Sequence, residues 1–268
     1  MLKDITLGQY FPGKTVVHRL DPRTKLILLV AYIVALFTAG SWLGYGLCLA
    51  FLAASVWISK IKPKALVKGL KPVLIIVIFT AVLNLFYTRG EHVLLQIWKI
   101  TITAEGLQAA IFMTGRIVLL ITGTFLLTYT TSPIDLTDAL ESLLGPLKKL
   151  RIPVHELAMM MCIALRFIPT LIEETDKIMC AQKARGADFE TGSLLQRAKA
   201  LVPILVPLFV SAFRRAEELA TAMECRCYQG GEGRTKLKVL RYHRRDWMAL
   251  LLGAALVAAE ILLRRFGI

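Results

Sequence analysis

Apolar residues gather into five runs, at about 26–39, 42–58, 70–88, 107–130 and 247–263. A membrane-spanning helix needs roughly 20 such residues. The first two runs are short and separated only by Ala39-Gly40-Ser41, which predicts a tight helical hairpin. Between the fourth and fifth runs the pattern changes. The stretch 132–245 is amphipathic and charged, too interrupted to cross lipid, and reads as helices outside it. The pattern therefore predicts an all-α membrane protein with about five transmembrane helices plus long cytoplasmic amphipathic helices. Three regions follow: 1–131, an N-terminal segment and four spans; 132–245, the cytoplasmic helices; and 246–268, a last span.

Punctuation divides the middle region. Ser132-Pro133 is an N-cap followed by proline at the first helical position, and Asp135 and Asp138 suit the positive end of that helix. It ends near Gly145-Pro146, after presenting Leu136, Leu140, Leu143 and Leu144 on one face. A second pattern runs from about Val154 to Ala184, apolar in front, charged behind, and offset at Pro169, where a backbone donor is lost. A third helix is expected from about Pro207 to Cys227, with an amphipathic stretch at 194–206 before it.

Charge gives a topology. The chain has 268 residues, a formal net charge of +14 and a mean hydropathy of +0.61. At 56% hydrophobic it is more apolar than the about 45–50% of soluble domains. Five lysines sit at 60, 62, 64, 68 and 71. Lys14, Arg19, Arg23 and Lys25 precede the first run, and eighteen Lys and Arg fall within 132–245. The connection near 89–105 has only Arg89 and Lys99. By the positive-inside rule, the N-terminus, the 60–71 loop and residues 132–245 are cytoplasmic, and the chain is a multi-pass protein of the cell membrane. This places the C-terminus outside, although Arg264 and Arg265 argue mildly the other way. No cleavable signal peptide is expected, since the first residues offer no apolar core. Nucleic acid is not an expected partner, because no aromatic and basic ladder accompanies the charge.

Arg116 lies inside the fourth run, where facing lipid would cost several kcal/mol. It reads either as a substrate or ion site or as an arginine paired within the bundle near one interface. The second reading is preferred, because no intramembrane acid is placed beside it. Met159-Met160-Met161 also admits two readings, an adaptable contact surface or core filler. The histidines at 18, 92, 155 and 243 are scattered, and no hydrolase, metalloprotease or phosphate-loop motif is present. Neither catalysis nor a cofactor is implied. Cys225 and Cys227 lack the further ligands of a metal site.

The most informative arrangement occurs twice. Lys183-Ala184-Arg185-Gly186-Ala187 and Glu224-Cys225-Arg226-Cys227-Tyr228 each put one arginine, flanked by small residues, at the C-terminus of a long helix. Small neighbours leave the guanidinium unshielded. Its rigid fork of donors suits an acidic or carbonyl-lined groove on another protein. Either arginine alone would be explained by the favourable last-turn position of a cation, so the duplication carries the inference.

With these motifs in order, the chain resembles the transmembrane (T) component of energy-coupling factor (ECF) transporters, the EcfT family. The likeness begins with Gly8-Gln9-Tyr10-Phe11-Pro12-Gly13 and with His18-Arg19-Leu20-Asp21-Pro22-Arg23-Thr24-Lys25. It continues through Leu165-Arg166-Phe167-Ile168-Pro169 to Glu173-Glu174 and Ala184-Arg185-Gly186, then Cys225-Arg226-Cys227 and Gly230-Gly231-Glu232-Gly233-Arg234-Thr235. The resemblance implies a scaffold joining two ATP-binding-cassette ATPases to one or more membrane-embedded, substrate-binding S components for vitamin or similar uptake. It implies no enzymatic activity of the chain's own. Residues 132–245 become a coupling-helix region, with Ala184, Arg185, Gly186, Cys225, Arg226 and Cys227 docking the ATPases. The second motif departs from Ala-Arg-Gly by having cysteine on both sides. Met159, Met160, Met161, Leu140 and Leu144 are the implied contacts for the S component. The alternative is a stand-alone permease that binds its own substrate, supported thinly by Arg116 and Asn84.

Overall fold

A computed structural model describes residues 10–87, 93–97, 100–189, 193–231 and 239–266. Of the residues named above, Gly8, Gln9, Arg89, His92, Lys99 and 232–235 lie outside these. The described residues form helices α1 (Pro22–Thr38), α2 (Trp42–Ser59), α3 (Pro63–Leu70), α4 (Leu74–Tyr87) and α5 (Ala104–Thr130). These are followed by α6 (Pro133–Leu143), α7 (Val154–Ala184), α8 (Leu194–Glu224) and α9 (Arg244–Phe266). Two compact units emerge, one from Gly8–Ala139 with Val239–Ile268 and one containing Leu140–Lys238.

The first unit is a bundle whose helix ends are set by local chemistry. Asp21 accepts from the Arg23 amide at 2.9 Å, capping α1, and Pro22 occupies the first helical position. Ser41 caps α2 by accepting from the Gly44 amide, so Ala39-Gly40-Ser41 is the expected hairpin turn. Helix α5 runs antiparallel to α1. The Lys25 amine donates to the Thr130 carbonyl at 2.9 Å, Gly123 lies under the Tyr32 ring, and Arg116 donates to the Ala39 carbonyl at 3.3 Å. Helix α9 runs parallel to α1: the Asp21 amide donates to Asp246 Oδ1 at 2.8 Å, and Gly253 packs on Leu28 seven residues further along both helices. The two C-terminal ends therefore share one side of the bundle, the side opposite the capped ends of α1 and α9. The core holds Tyr32, Ala35, Leu36, Cys48, Leu52, Leu119 and Leu256. Much of the remaining apolar surface, such as Trp57, Ile75 and Leu251, points outward, as a lipid-facing surface requires.

Two features depart from the expected pattern. The connection before α5 is an antiparallel hairpin, β1 (Val93–Ile97) with β2 (Ile100–Thr103), in a chain expected to be all-α. The alternation Ile100-Thr101-Ile102-Thr103 is a period-two signal with β-branched residues throughout. Among the described residues, six helical runs are long and apolar enough to cross a membrane: α2, the run Pro63–Tyr87, α5, α7, α8 and α9. Helices α7 and α8 thus meet that condition by length and composition, although the charges in 132–245 predicted interrupted helices. Helix α1 has 17 residues.

The second unit contains α7 and α8, each of 31 residues. Helix α7 has the expected bounds, continuing through Pro169. Helix α8 starts at Leu194, thirteen residues before the expected Pro207, and runs through both Pro203 and Pro207. The overlooked signal is a capping box. Ser193 Oγ accepts from the Gln196 amide while Gln196 Oε1 accepts from the Ser193 amide, satisfying two end donors at once.

Candidate functional site

The two arginine motifs share a backbone. At the end of α7 the Ala187 amide donates to the Gln182 carbonyl at 3.0 Å and the Gly186 amide to the Lys183 carbonyl at 3.0 Å. At the end of α8 the Tyr228 amide donates to the Met223 carbonyl at 3.0 Å and the Cys227 amide to the Glu224 carbonyl at 2.8 Å. Both sets are the paired bonds of a Schellman reversal, which satisfies carbonyls left over at a helix end. In each, the arginine immediately precedes the residue in the left-handed conformation, Gly186 at φ +87° and Cys227 at φ +55°. Glycine adopts this conformation without penalty, whereas a Cβ makes it less favourable by about 1–2 kcal/mol. Arg185, Arg226 and their neighbours Ala184, Gly186, Cys225 and Cys227 are all exposed.

Side chains tie α7 and α8 together antiparallel. Gln182 donates to the Pro203 carbonyl at 3.3 Å. Glu174 accepts from the Ser211 hydroxyl and, at 3.0 Å, from Arg215 Nη2. The Tyr228 hydroxyl donates to the Met159 sulfur at 3.1 Å. Arg226, just past the end of α8, is therefore held beside the start of α7, while Arg185 is at its far end. The stretch of α7 from Met159 to Arg185 is about 39 Å long at 1.5 Å per residue. Two cationic tips with matching backbones thus stand at opposite ends of one stiff helical pair.

Among the apolar residues singled out earlier, Met160, Met161, Leu140 and Leu144 are exposed. Met159 is turned instead toward Tyr228. The sequence reading missed a larger surface on α8, where Leu201, Val202, Leu205, Phe209, Val210 and Phe213 are all exposed. Its signal was the apolar text on both sides of Pro203 and Pro207, two prolines that concealed a single continuous helix. The role of Glu174 as the clasp between the helices was also missed, since its partners lie 37 and 41 residues away.

In the bundle, Arg116 is half-buried against the turn between α1 and α2, with its guanidinium 5.4 Å from the Phe37 ring centroid and 5.8 Å from that of Tyr45. This matches an arginine held near one interface by a carbonyl and aromatic faces. The sequence reading placed no acid beside Arg116 and did not single out Glu260. It lies within the fifth apolar run, is 1% exposed, and accepts from Cys48 Sγ at 3.5 Å. One acid in a run of aliphatic residues barely lowers its hydropathy, so the acid was hidden by its neighbours.

His18 belongs to the opening motif. Its Nε2 donates to the Phe11 carbonyl at 3.1 Å, so Nδ1, 2.6 Å from Thr15 Oγ1, accepts in the neutral ring. A Cβ on Gly13 would meet this ring at 2.7 Å, so a larger residue there would push the imidazole aside. Burial lowers the His18 pKa below its ordinary value, and nearby Lys25 adds to that effect against the hydrogen bond to Phe11.

Comparison with known proteins agrees over nearly the whole chain. Residues 13–237 match the CbiQ family, described as cobalt transport protein. The energy-coupling factor transporter transmembrane protein EcfT of Clostridium kluyveri is 56% identical over 265 residues, covering 98% of each chain. EcfT of Thermosediminibacter oceani is 53% identical over 99% of each chain. EcfT of Bacillus subtilis is 50% identical over 98% of this chain and 100% of its own. With likeness of this extent, the chain belongs to the family of energy-coupling factor transporter transmembrane proteins, EcfT.

Proposed function

We propose that this protein is the transmembrane energy-coupling subunit of an ECF-type transporter, joining two ATP-binding-cassette ATPases to a membrane-embedded S component during uptake of a vitamin or similar micronutrient. The observation that carries the reading is the pair of equivalent arginine tips, Arg185 and Arg226, at opposite ends of the antiparallel α7–α8 pair. Two like ends suit two like partners. Each tip offers a charged fork beyond a capped helix end, with Ala184 and Gly186, or Cys225 and Cys227, admitting close approach of a partner's backbone.

ATP hydrolysis belongs to the ATPases, and this chain transmits their movement. The ties at Glu174, Gln182 and Met159 make the helices one stiff element, so displacing a tip displaces the apolar faces between the tips. Those faces, including Met160, Met161 and the exposed stripe of α8, together with Leu140 on α6 and Leu144 just after it, form the contact for the S component. The orientation that fits places the N-terminus and residues 132–245 in the cytoplasm. The lysines of the 60–71 loop support it. The parallel course of α1 and α9 then carries Arg264 and Arg265 to the other side.

The test is charge reversal, Arg185→Glu and Arg226→Glu, singly and together, in cells expressing the full transporter. Each single variant is expected to lower ATPase copurification at least tenfold. The double variant should abolish uptake, with membrane insertion unchanged. Undiminished copurification and uptake in the double variant would remove the docking assignment.

A further inference from the structure

Beyond Arg226 the chain turns back along the start of α7. His155 and Met159 are four residues apart and share one face of that helix. Tyr228 bonds to the Met159 sulfur, and Gly231 lies so close to the His155 ring that a Cβ there would strike Cδ2. Gly230, at φ +94°, supplies the left-handed step between these two anchors. Arg226 is therefore followed directly by two points of attachment to α7. At the other tip, a Cβ on Gly186 would meet nothing within 4 Å.

The same ring is held from a third element. His155 Nδ1 donates to Glu141 Oε1 on α6 at 2.9 Å; a carboxylate only accepts, so Nδ1 carries the hydrogen. The pair is largely enclosed, with side chains 20% and 10% exposed. His155 Nε2 is buried and finds no partner among the described residues. An apolar side chain would fill the space under Gly231 without that cost, so packing alone does not account for a histidine. What the imidazole adds is the bond to Glu141, the neighbour of Leu140. The ties at Glu174 and Gln182, by contrast, join α7 to α8.

We infer that His155 is a positioning residue, clasped by Glu141 and covered by Gly231, that ties the Arg226 tip to α6. The inference rests on the docking of an ATPase at Arg226 and adds a route to that reading. Movement of this tip passes through Gly231 and the imidazole to Glu141, and so to the helix that carries Leu140. The segment after Arg226, α7 and α6 then move together, and the two tips, alike in backbone, differ in what they move.

The experiment is amide hydrogen exchange on the assembled transporter, with and without ATP and vanadate to trap the ATPases. In the wild type, trapping is expected to change exchange at residues 223–231 and at 137–143 together. His155→Leu and Glu141→Leu each fill the space without the bond. Each should keep the change at 223–231 and lower that at 137–143 at least fivefold, and the double variant should do no more than either alone. His155→Asn, whose amide can donate from near the place of Nδ1, should restore the wild-type response. A full response at 137–143 in both leucine variants overturns the inference. So does loss of the response at 223–231 as well, since the ring would then support the tip and pass nothing on. The docking assignment fails separately, by undiminished ATPase copurification with Arg226→Glu.

Discussion

The bundle and the α7–α8 pair are made of comparably apolar helices that hide very different shares of themselves. In α2 and α9, 28% and 22% of the most apolar window is buried within the chain, while in α7 and α8 the share is 6% each. The bundle resolves its apolar surface with a core of its own and, on its outside, lipid. The helical pair instead is tied by a few polar contacts, such as Glu174 with Ser211 and Arg215, and leaves an apolar face uncovered along most of its length. An exposed face of that size marks an interaction surface. A region built to transmit force between other proteins needs stiffness along its axis more than a core, and two 31-residue hydrogen-bonded helices supply it.

The largest effect should come from exchanging one leucine in each region. Leu36, fully buried, should lower bundle stability by about 2–5 kcal/mol on replacement by alanine. Leu205→Ala, on the exposed face of α8, should shift stability by less than about 0.5 kcal/mol yet reduce S-component copurification. Denaturant titration of the purified chain alongside pull-down of the complex reads both. A large stability loss at Leu205 would show that the pair has a core of its own after all.

A smaller effect should separate the two tips. Gly186→Ala forces a Cβ into the left-handed region and should weaken the end of α7 by about 1 kcal/mol. Cys227→Gly relieves the same strain and should strengthen the end of α8 by about as much. Amide exchange at residues 182–187 and 223–228 would register the opposite signs. Equal responses would mean that the two reversals are not equivalent.

The smallest effect is one of pH in the bundle. Since burial lowers the pKa of His18 below 6.5, the folded state prefers the neutral ring and the unfolded chain takes up the proton first. The stability that His18 contributes is therefore complete above pH 6.5 and declines as pH falls below it. Faster amide exchange at residues 11–20 below pH 6.5, absent in His18→Gln, is the expected result, with the α7–α8 pair unaffected.

The linear pattern was enough for the helical class, four of the five long apolar runs, the bounds of α7 and the duplicated arginines. Hydropathy, caps and prolines act over a few residues, and their physics is complete within one turn of helix. The start of α8 was equally local, written in Ser193 and Gln196, but two prolines outweighed it. Packing decided the rest. Only the fold brings Glu174 to residues 37 and 41 positions away, turns Met159 inward while Met160 and Met161 face out, buries Glu260 beside Cys48, and aligns α9 with α1. Most of all, each arginine's place at a helix end follows from its own neighbours, but the span between the two depends on the helices lying antiparallel. Distances between residues far apart in sequence are set by side chains that meet only after the chain has folded.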